Sequence, residues 1–222
     1  MFEIYETKER VLADNEAEAA RLRELLKNNR TFMVNLMGSP GSGKTSVLIR
    51  TINALKEKYQ IAVMEADVES DVDARTIHDL GVKVIQLHSG GLCHMDADMT
   101  ARGVEKLGIE GIDLLIMENI GNLVCPAEFD TGANLKVMIL SVPEGDDKPL
   151  KYPLMFTVSD CLLINKIDTM PVFDFNMDAC LERARRLNEK IVSFPVSAET
   201  GEGMEEWISW LASEIEQWRN SL

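Results

Sequence analysis

Seven short apolar runs are spaced along the chain, TFMVNLM, IAVME, VKVIQL, IDLLIM, LKVMIL, DCLLIN and KIVSF, most of them separated by helix-length amphipathic segments. Near-continuous apolar runs suit strands covered on both faces, and parallel neighbours need crossovers of that length. The pattern therefore predicts an α/β fold with a mainly parallel seven-stranded sheet flanked by helices. Residues 1–30 read as an N-terminal helical extension, with Val11, Leu12, Leu22, Leu25 and Leu26 among charged positions and a polar KNNR at its end. Residues 31–222 then form one domain. The last helix, Gly203 to Trp218, carries Met204, Trp207, Ile208, Leu211 and Ile215 at helical spacing and is assigned to core packing. The stretch EGDDKPLKYP, Glu144 to Pro153, reads as a polar, proline-marked loop able to move.

Composition narrows the class. The chain has 222 residues, 45% hydrophobic and 27% charged, enough apolar material for one large core. The opening MFEIYETKER has no apolar leader, and no apolar run approaches the roughly 18 residues of a membrane span, so the expected location is cytoplasmic and no membrane role is expected. A net charge of −14 argues against nucleic acid as a partner, because such binding needs clustered Lys and Arg to displace counterions.

Gly38-Ser39-Pro40-Gly41-Ser42-Gly43-Lys44-Thr45 fits GxxxxGK[ST] between an apolar strand and the amphipathic SVLIRTINALKEK, the context a P-loop NTPase requires. Its glycines let successive amides face phosphate oxygens, and the helix that follows, opening with Ser46, adds its positive end. Lys44 is expected to bridge the β- and γ-phosphates and Thr45 to place its hydroxyl on Mg²⁺. Asp67, Asp71 and Asp73 after the second strand, and Glu118 after the fourth, lie at strand ends where ligands gather in open α/β sheets, and are the candidate metal-side acids.

Asn165-Lys166-Ile167-Asp168 follows the buried strand LLI and fits NKxD, the guanine-reading signature. An aspartate can accept from guanine N1–H and the 2-amino group together, a donor pair adenine lacks. Lys166 offers an aliphatic stem to the base, and Asn165 can tie this loop to the phosphate loop. Ser197-Ala198, after KIVSF, resembles the SA(K/L) element whose amides also contact guanine.

Of the four cysteines, Cys93 sits beside His94 after the third strand and Cys125 follows the fourth. Two thiolates and an imidazole form a partial donor set for Zn²⁺ or Ni²⁺. The other reading makes the two cysteines small buried hydrophobes. A two-fold axis would supply the missing ligands. Cys161, in an apolar strand, and Cys180, in MDACLERARRL, look structural, and His78 and His88 have no cysteine nearby.

The motifs GSPGSGKT, EADVESDVDAR, GGLCHMDAD, ENIGNLVCPAEFD, SVPEGDDKPLKYP, INKID and SAETGEG occur in that order. Together they resemble the HypB family of nickel-incorporation GTPases, relatives of the urease accessory GTPases, over nearly the whole chain. The resemblance implies Zn²⁺ or Ni²⁺ held by Cys93, His94 and Cys125 between two subunits, a homodimer favoured by GTP, and Mg²⁺-dependent hydrolysis to GDP. It implies partnership with a HypA-type nickel chaperone and with the large-subunit precursor of a [NiFe] hydrogenase. Asp67, Asp73 and Glu118 map to the acids near Mg²⁺ and the attacking water, with Lys44 as the main stabiliser of phosphoryl charge. The N-terminal cysteine motif and histidine-rich stretch of some members do not occur in this sequence, so one metal site per subunit interface and no nickel storage are expected. The rival expectations are a urease-type nickel GTPase and a metal-binding scaffold with an inactive nucleotide site. If the switch reading holds, GTP moves the loops carrying Asp73, Cys93 and Cys125.

Overall fold

The computed structural model describes residues 7–67 and 72–222, and for residues 7–10, 72 and 73 the backbone alone. Its strands are β1 Phe32–Gly38, β2 Ile61–Asp67, β3 Lys83–His88, β4 Leu114–Glu118, β5 Leu135–Ser141, β6 Cys161–Asn165 and β7 Val192–Pro195. They form one sheet in the order β3-β2-β4-β1-β5-β6-β7 with every neighbouring pair parallel. The helices are α1 Thr7–Asn29, α2 Lys44–Leu55, α3 Val72–His78, α4 Ala97–Leu107, α5 Cys125–Glu128, α6 Lys148–Lys151, α7 Pro153–Val158, α8 Met177–Leu187 and α9 Met204–Asn220. Among the described residues no helix is long and apolar enough to cross a membrane.

Alternate residues of each strand feed opposite faces of the sheet. Val34, Leu36, Val63, Ile116, Val137 and Leu163 pack with α2 and α9 on one side, where Trp207 is almost fully buried. The Trp207 indole N–H donates to Thr51 Oγ1 at 3.0 Å, so its polar edge is satisfied inside the core. On the other side Met33, Met64, Leu115 and Met117 meet α1 and α4, and Met138, Leu140 and Leu162 meet α7 and α8. Because all strands run the same way, their C-terminal ends share one rim, and the loops bearing the candidate residues leave from that rim.

Two expectations are corrected. The buried stripe of α1 is Asn15, Ala19, Leu22 and Leu26, while Val11 and Leu25 are exposed. The helix docks close to Gly132, where an added Cβ would lie 3.0 Å from Leu22 Cδ2 and 3.2 Å from the Ala19 carbonyl. Gly132 leaves room for the Leu22 side chain and the Ala19 backbone to come this close. The second correction concerns Glu144 to Pro153, which is not an irregular loop. A 3₁₀ turn at Val142–Glu144 leads into α6 and α7, with Pro149 and Pro153 in first-turn positions that proline tolerates. The Glu144 carboxylate accepts from Ser141 N and Oγ, each at 2.7 Å, and Arg183 holds Asp146 at 2.6 Å.

Candidate functional site

The loop between β1 and α2 curls around a cleft of about 560 Å³. Gly41 and Gly43 have φ of 75° and 93°, a region costly for residues with a Cβ. Gly43 precedes the first turn of α2, which has no side-chain cap and no acidic residue, leaving its amides to an outside anion. Lys44 is buried, its ammonium donating to the Ser39 carbonyl at 3.3 Å and lying 4.0 Å from Glu118 Oε1. The Thr45 hydroxyl donates to the same Glu118 oxygen at 3.0 Å. A hydroxyl and a carboxylate in contact beside an anion cradle are the hard oxygen donors that Mg²⁺ takes.

Asp67 and Glu118 both line this cleft, whereas Asp71 lies outside the described residues and only the backbone of Asp73 is described. A third acid, Glu65, also lines the cleft; it is 3% exposed and lies in register with Glu118 on the neighbouring strand. Sequence reasoning passed over it as part of IAVME. Its signal was a lone acid inside a strand buried on both faces.

Residues 165–168 fold onto the phosphate loop through Asn165, the tie expected of that side chain. Its amide donates to the Ser42 carbonyl at 2.9 Å, and its Oδ1 accepts from Ala198 N at 3.1 Å. Lys166, at φ 62°, donates to the Gly41 carbonyl at 2.6 Å. Asp168 accepts from the Ser197 hydroxyl at 2.5 Å, which orients the carboxylate. Arg50, on α2, grips the far side of this loop through the carbonyls of Ala198 and Glu199 at 2.7 and 2.5 Å. No motif singles Arg50 out, because its partners lie far along the chain.

Cys93, His94 and Cys125 converge: one ligand atom from each lies within 4.8 Å of the others. Cys93 Sγ is 2.8 Å from Cys125 Sγ and 3.8 Å from His94 Nδ1. The His94 ring stacks on Phe129 at a centroid distance of 4.0 Å. Burial lowers the His94 pKa against the pull of Asp96 and Glu128, favouring the neutral ring whose nitrogen can donate a lone pair. The Cys93 thiol beside it, with burial, raises the pKa of Cys125. Two adjacent sulfurs resist holding two negative charges until a cation joins them, so the donor set fits a soft or borderline divalent metal. His78 and His88 are exposed and outside the cluster.

Cys161 and Cys180 are fully buried, as the sequence indicated, and burial pushes their thiols up, Cys180 to about 12. Since the thiolate is the reactive form, a native-state assay with an aromatic disulfide reagent should modify the exposed Cys93 first, the partly exposed Cys125 with its raised pKa more slowly, and the other two only when denaturant is added. Rapid modification of all four would contradict this burial.

One short segment joins the two halves of the site. From Glu118 the chain runs to Gly121, where an added Cβ would lie 2.8 Å from Pro40 Cγ. Asn122 N then donates to the Gly38 carbonyl at 3.1 Å, and the next turn presents Cys125. Asn122 also reaches the Cys93 carbonyl at 3.4 Å, and Asn119 Oδ1 accepts from Met95 N at 3.2 Å. The phosphate loop and the sulfur cluster are thus the two ends of one tether.

A glycine cradle ending the central strand of an all-parallel sheet defines a P-loop NTPase. Residues 32–194 match the CobW/HypB/UreG nucleotide-binding domain family. The chain is 46% identical over 208 residues to the hydrogenase maturation factor HypB of Rhizobium leguminosarum bv. viciae, covering 94% of this chain and 70% of that protein. Its fold superposes on the hydrogenase maturation factor HypB of Archaeoglobus fulgidus with a TM-score of 0.86 and 36% identity, covering 92% of this chain and 100% of that one. HypB from Helicobacter pylori, solved in complex with nickel, gives 0.85 at 34% identity, covering 92% and 96%. The chain belongs to the HypB family of hydrogenase maturation factors.

Proposed function

We propose that the protein is a GTP-hydrolysing switch that takes up Ni²⁺ or Zn²⁺ at a dimer interface and assists nickel insertion into a [NiFe] hydrogenase. The observation that carries this reading is the convergence of Cys93, His94 and Cys125 at the end of a tether that starts at the phosphate loop. Gly38, Ser39, Gly41, Ser42, Gly43, Lys44, Thr45 and Ser46 hold the phosphates. Asn165, Lys166, Asp168, Ser197 and Ala198 read guanine. Thr45, Asp67, Asp73 and Glu118 hold Mg²⁺, which when bound neutralises phosphate charge and orders the attacking water. Lys44 stabilises the charge that develops on the transferred phosphoryl group, with Asp73 and Glu118 ordering the nucleophile.

Three donors leave a metal under-coordinated, and a second copy completes the shell across a two-fold axis. Leu92 and Val124, each next to a cluster cysteine, are about half exposed and give that rim an apolar surface for the second copy. A HypA-type chaperone and the hydrogenase large-subunit precursor are the partners this implies, in the cytoplasm.

The test pairs two measurements. Phosphate release should occur from GTP and not ATP, and should need Mg²⁺. Calorimetry with Zn²⁺ and Ni²⁺ should give different affinities in the presence of GDP and of a non-hydrolysable GTP analogue, since coupling between sites is reciprocal. Metal uptake without any turnover would leave a scaffold, and equal affinities in the two nucleotide states would remove the switch.

A further inference from the structure

We infer that Asn15, on α1, is a positioning residue that sets the spacing of the two loops carrying Cys93, His94 and Cys125. The inference rests on the reading of that cluster as a metal site.

Asn15 is buried, and its amide is used at both ends. Oδ1 accepts from Ala97 N at 2.8 Å, and Nδ2 donates to the Asp130 carbonyl at 2.9 Å. Ala97 opens α4 directly after the Cys93-His94 loop, and Asp130 closes the turn that begins at Cys125. One side chain therefore ties the backs of both ligand loops to each other. Phe129, on which the His94 ring lies, precedes Asp130, so the same anchor fixes the shelf under the imidazole.

The position of Asn15 argues against a role in docking alone. It occupies the site end of a stripe whose other members are Ala19, Leu22 and Leu26, and an apolar residue there would extend the contact without burying an amide. The amide stands at a place where its two hydrogen bonds are what engage it. Asp130 is held a second time from α1 by Arg23, and its own carboxylate accepts from Gly132 N at 3.0 Å. Burial alone would raise the Asp130 carboxyl, but the Arg23 and Gly132 hydrogen bonds and the nearby Lys136 charge outweigh it and hold the group below its ordinary value. The turn after Cys125 is thus pinned to the helix at adjacent points.

A chelate assembled from two loops binds tightly only if the loops are already at the right separation, because any slack must be removed when the ion arrives. Asn15 removes it beforehand. Asn15→Leu keeps the size and apolar docking of α1 while deleting both bonds. Asn15→Asp keeps the acceptor for Ala97 N and loses the donor to Asp130.

The experiment measures Zn²⁺ affinity by chelator competition, and the thiolate-to-metal charge-transfer band with Co²⁺, for the wild type, both Asn15 variants and Cys93→Ala. Affinity should fall about 10-fold or more in Asn15→Leu, the size expected when a group that orients a ligand is lost, and by less in Asn15→Asp. The Co²⁺ band should shift or weaken in the same order, while affinity for GDP stays within about twofold because the phosphate cradle is untouched. Helicity by circular dichroism reports whether α1 stays docked, and if Asn15→Leu loses it, Asn15→Asp decides. Wild-type Zn²⁺ affinity and an unchanged Co²⁺ band in the Asn15 variants, with Cys93→Ala impaired, would overturn the inference and leave the metal site standing. A wild type that binds no better than Cys93→Ala would overturn the metal reading and this inference with it.

Discussion

Gly43→Ala is expected to lower GTP affinity about 10²–10³-fold while leaving metal uptake in the nucleotide-free protein unchanged. Gly43 sits at φ 93°, so alanine would pay backbone strain of about 1–3 kcal/mol. The added methyl would also lie 2.3 Å from Asn165 Nδ2. That atom cannot retreat cheaply, because it holds the Ser42 carbonyl at 2.9 Å while the other end of the amide receives Ala198 N at 3.1 Å. Losing such a buried bond costs about 1–3 kcal/mol more. One substitution therefore disturbs the phosphate cradle and the base loop together. Gly41→Ala makes a useful contrast: its φ is 75°, but an added Cβ meets nothing within 4 Å, so only the backbone strain applies. Titration with a fluorescent guanine nucleotide would check both. Affinity within threefold of wild type for Gly43→Ala would mean that the nucleotide is not held here.

Cys93→Ala should remove nearly all Zn²⁺ and Ni²⁺ uptake. Structural zinc sites with four ligands release about 10–16 kcal/mol, so one thiolate accounts for about 3–4 kcal/mol, or roughly 10²–10³ in affinity. In this cluster the loss is compounded, because Cys93 supplies the sulfur 2.8 Å from Cys125 and neighbours His94 in the same loop. Calorimetry at neutral pH would show the heat of binding vanish while the thermal midpoint of the apo protein hardly moves, since Cys93 is exposed and packs little. Undiminished uptake would place the metal elsewhere.

The inner strands were legible in the sequence because burial on both faces leaves an uninterrupted apolar run, a signal that needs no knowledge of neighbours, and the half-buried edge strands β3 and β7 kept enough apolar residues to be read as well. The contiguous motifs around Lys44 and Asn165 were legible for a similar reason, since backbone curvature and amide direction are set within a few residues. The buried face of α1 was not legible because hydropathy marks Val11 and Leu25, which are exposed, whereas the buried stripe includes the polar Asn15 and the small Ala19. In the stretch after Ser141, acidic and proline residues suggested a loop, but Glu144 caps a turn and the prolines start helices. Asn15 and Arg50 left no trace in pattern or motif, and Asn119, though it stands inside ENIGNLVCPAEFD, carried no assigned role. Each acts through a backbone group that is distant in sequence, and only the closed sheet brings those partners within reach.

The strand order carries a consequence for timing. Cys93 leaves the loop after β3 at one edge of the sheet, while Cys125 follows β4, which pairs with both β2 and the central β1. No local hairpin can bring these sulfurs together, because parallel neighbours must wait for their crossovers. A chain emerging from the ribosome therefore has cysteines but no chelate until four strands have assembled. On the proposed metal role, ion capture would act as a reward for completed folding: at a free metal level of 100 Kd it would add about 2.7 kcal/mol to the assembled state and nothing to its precursors.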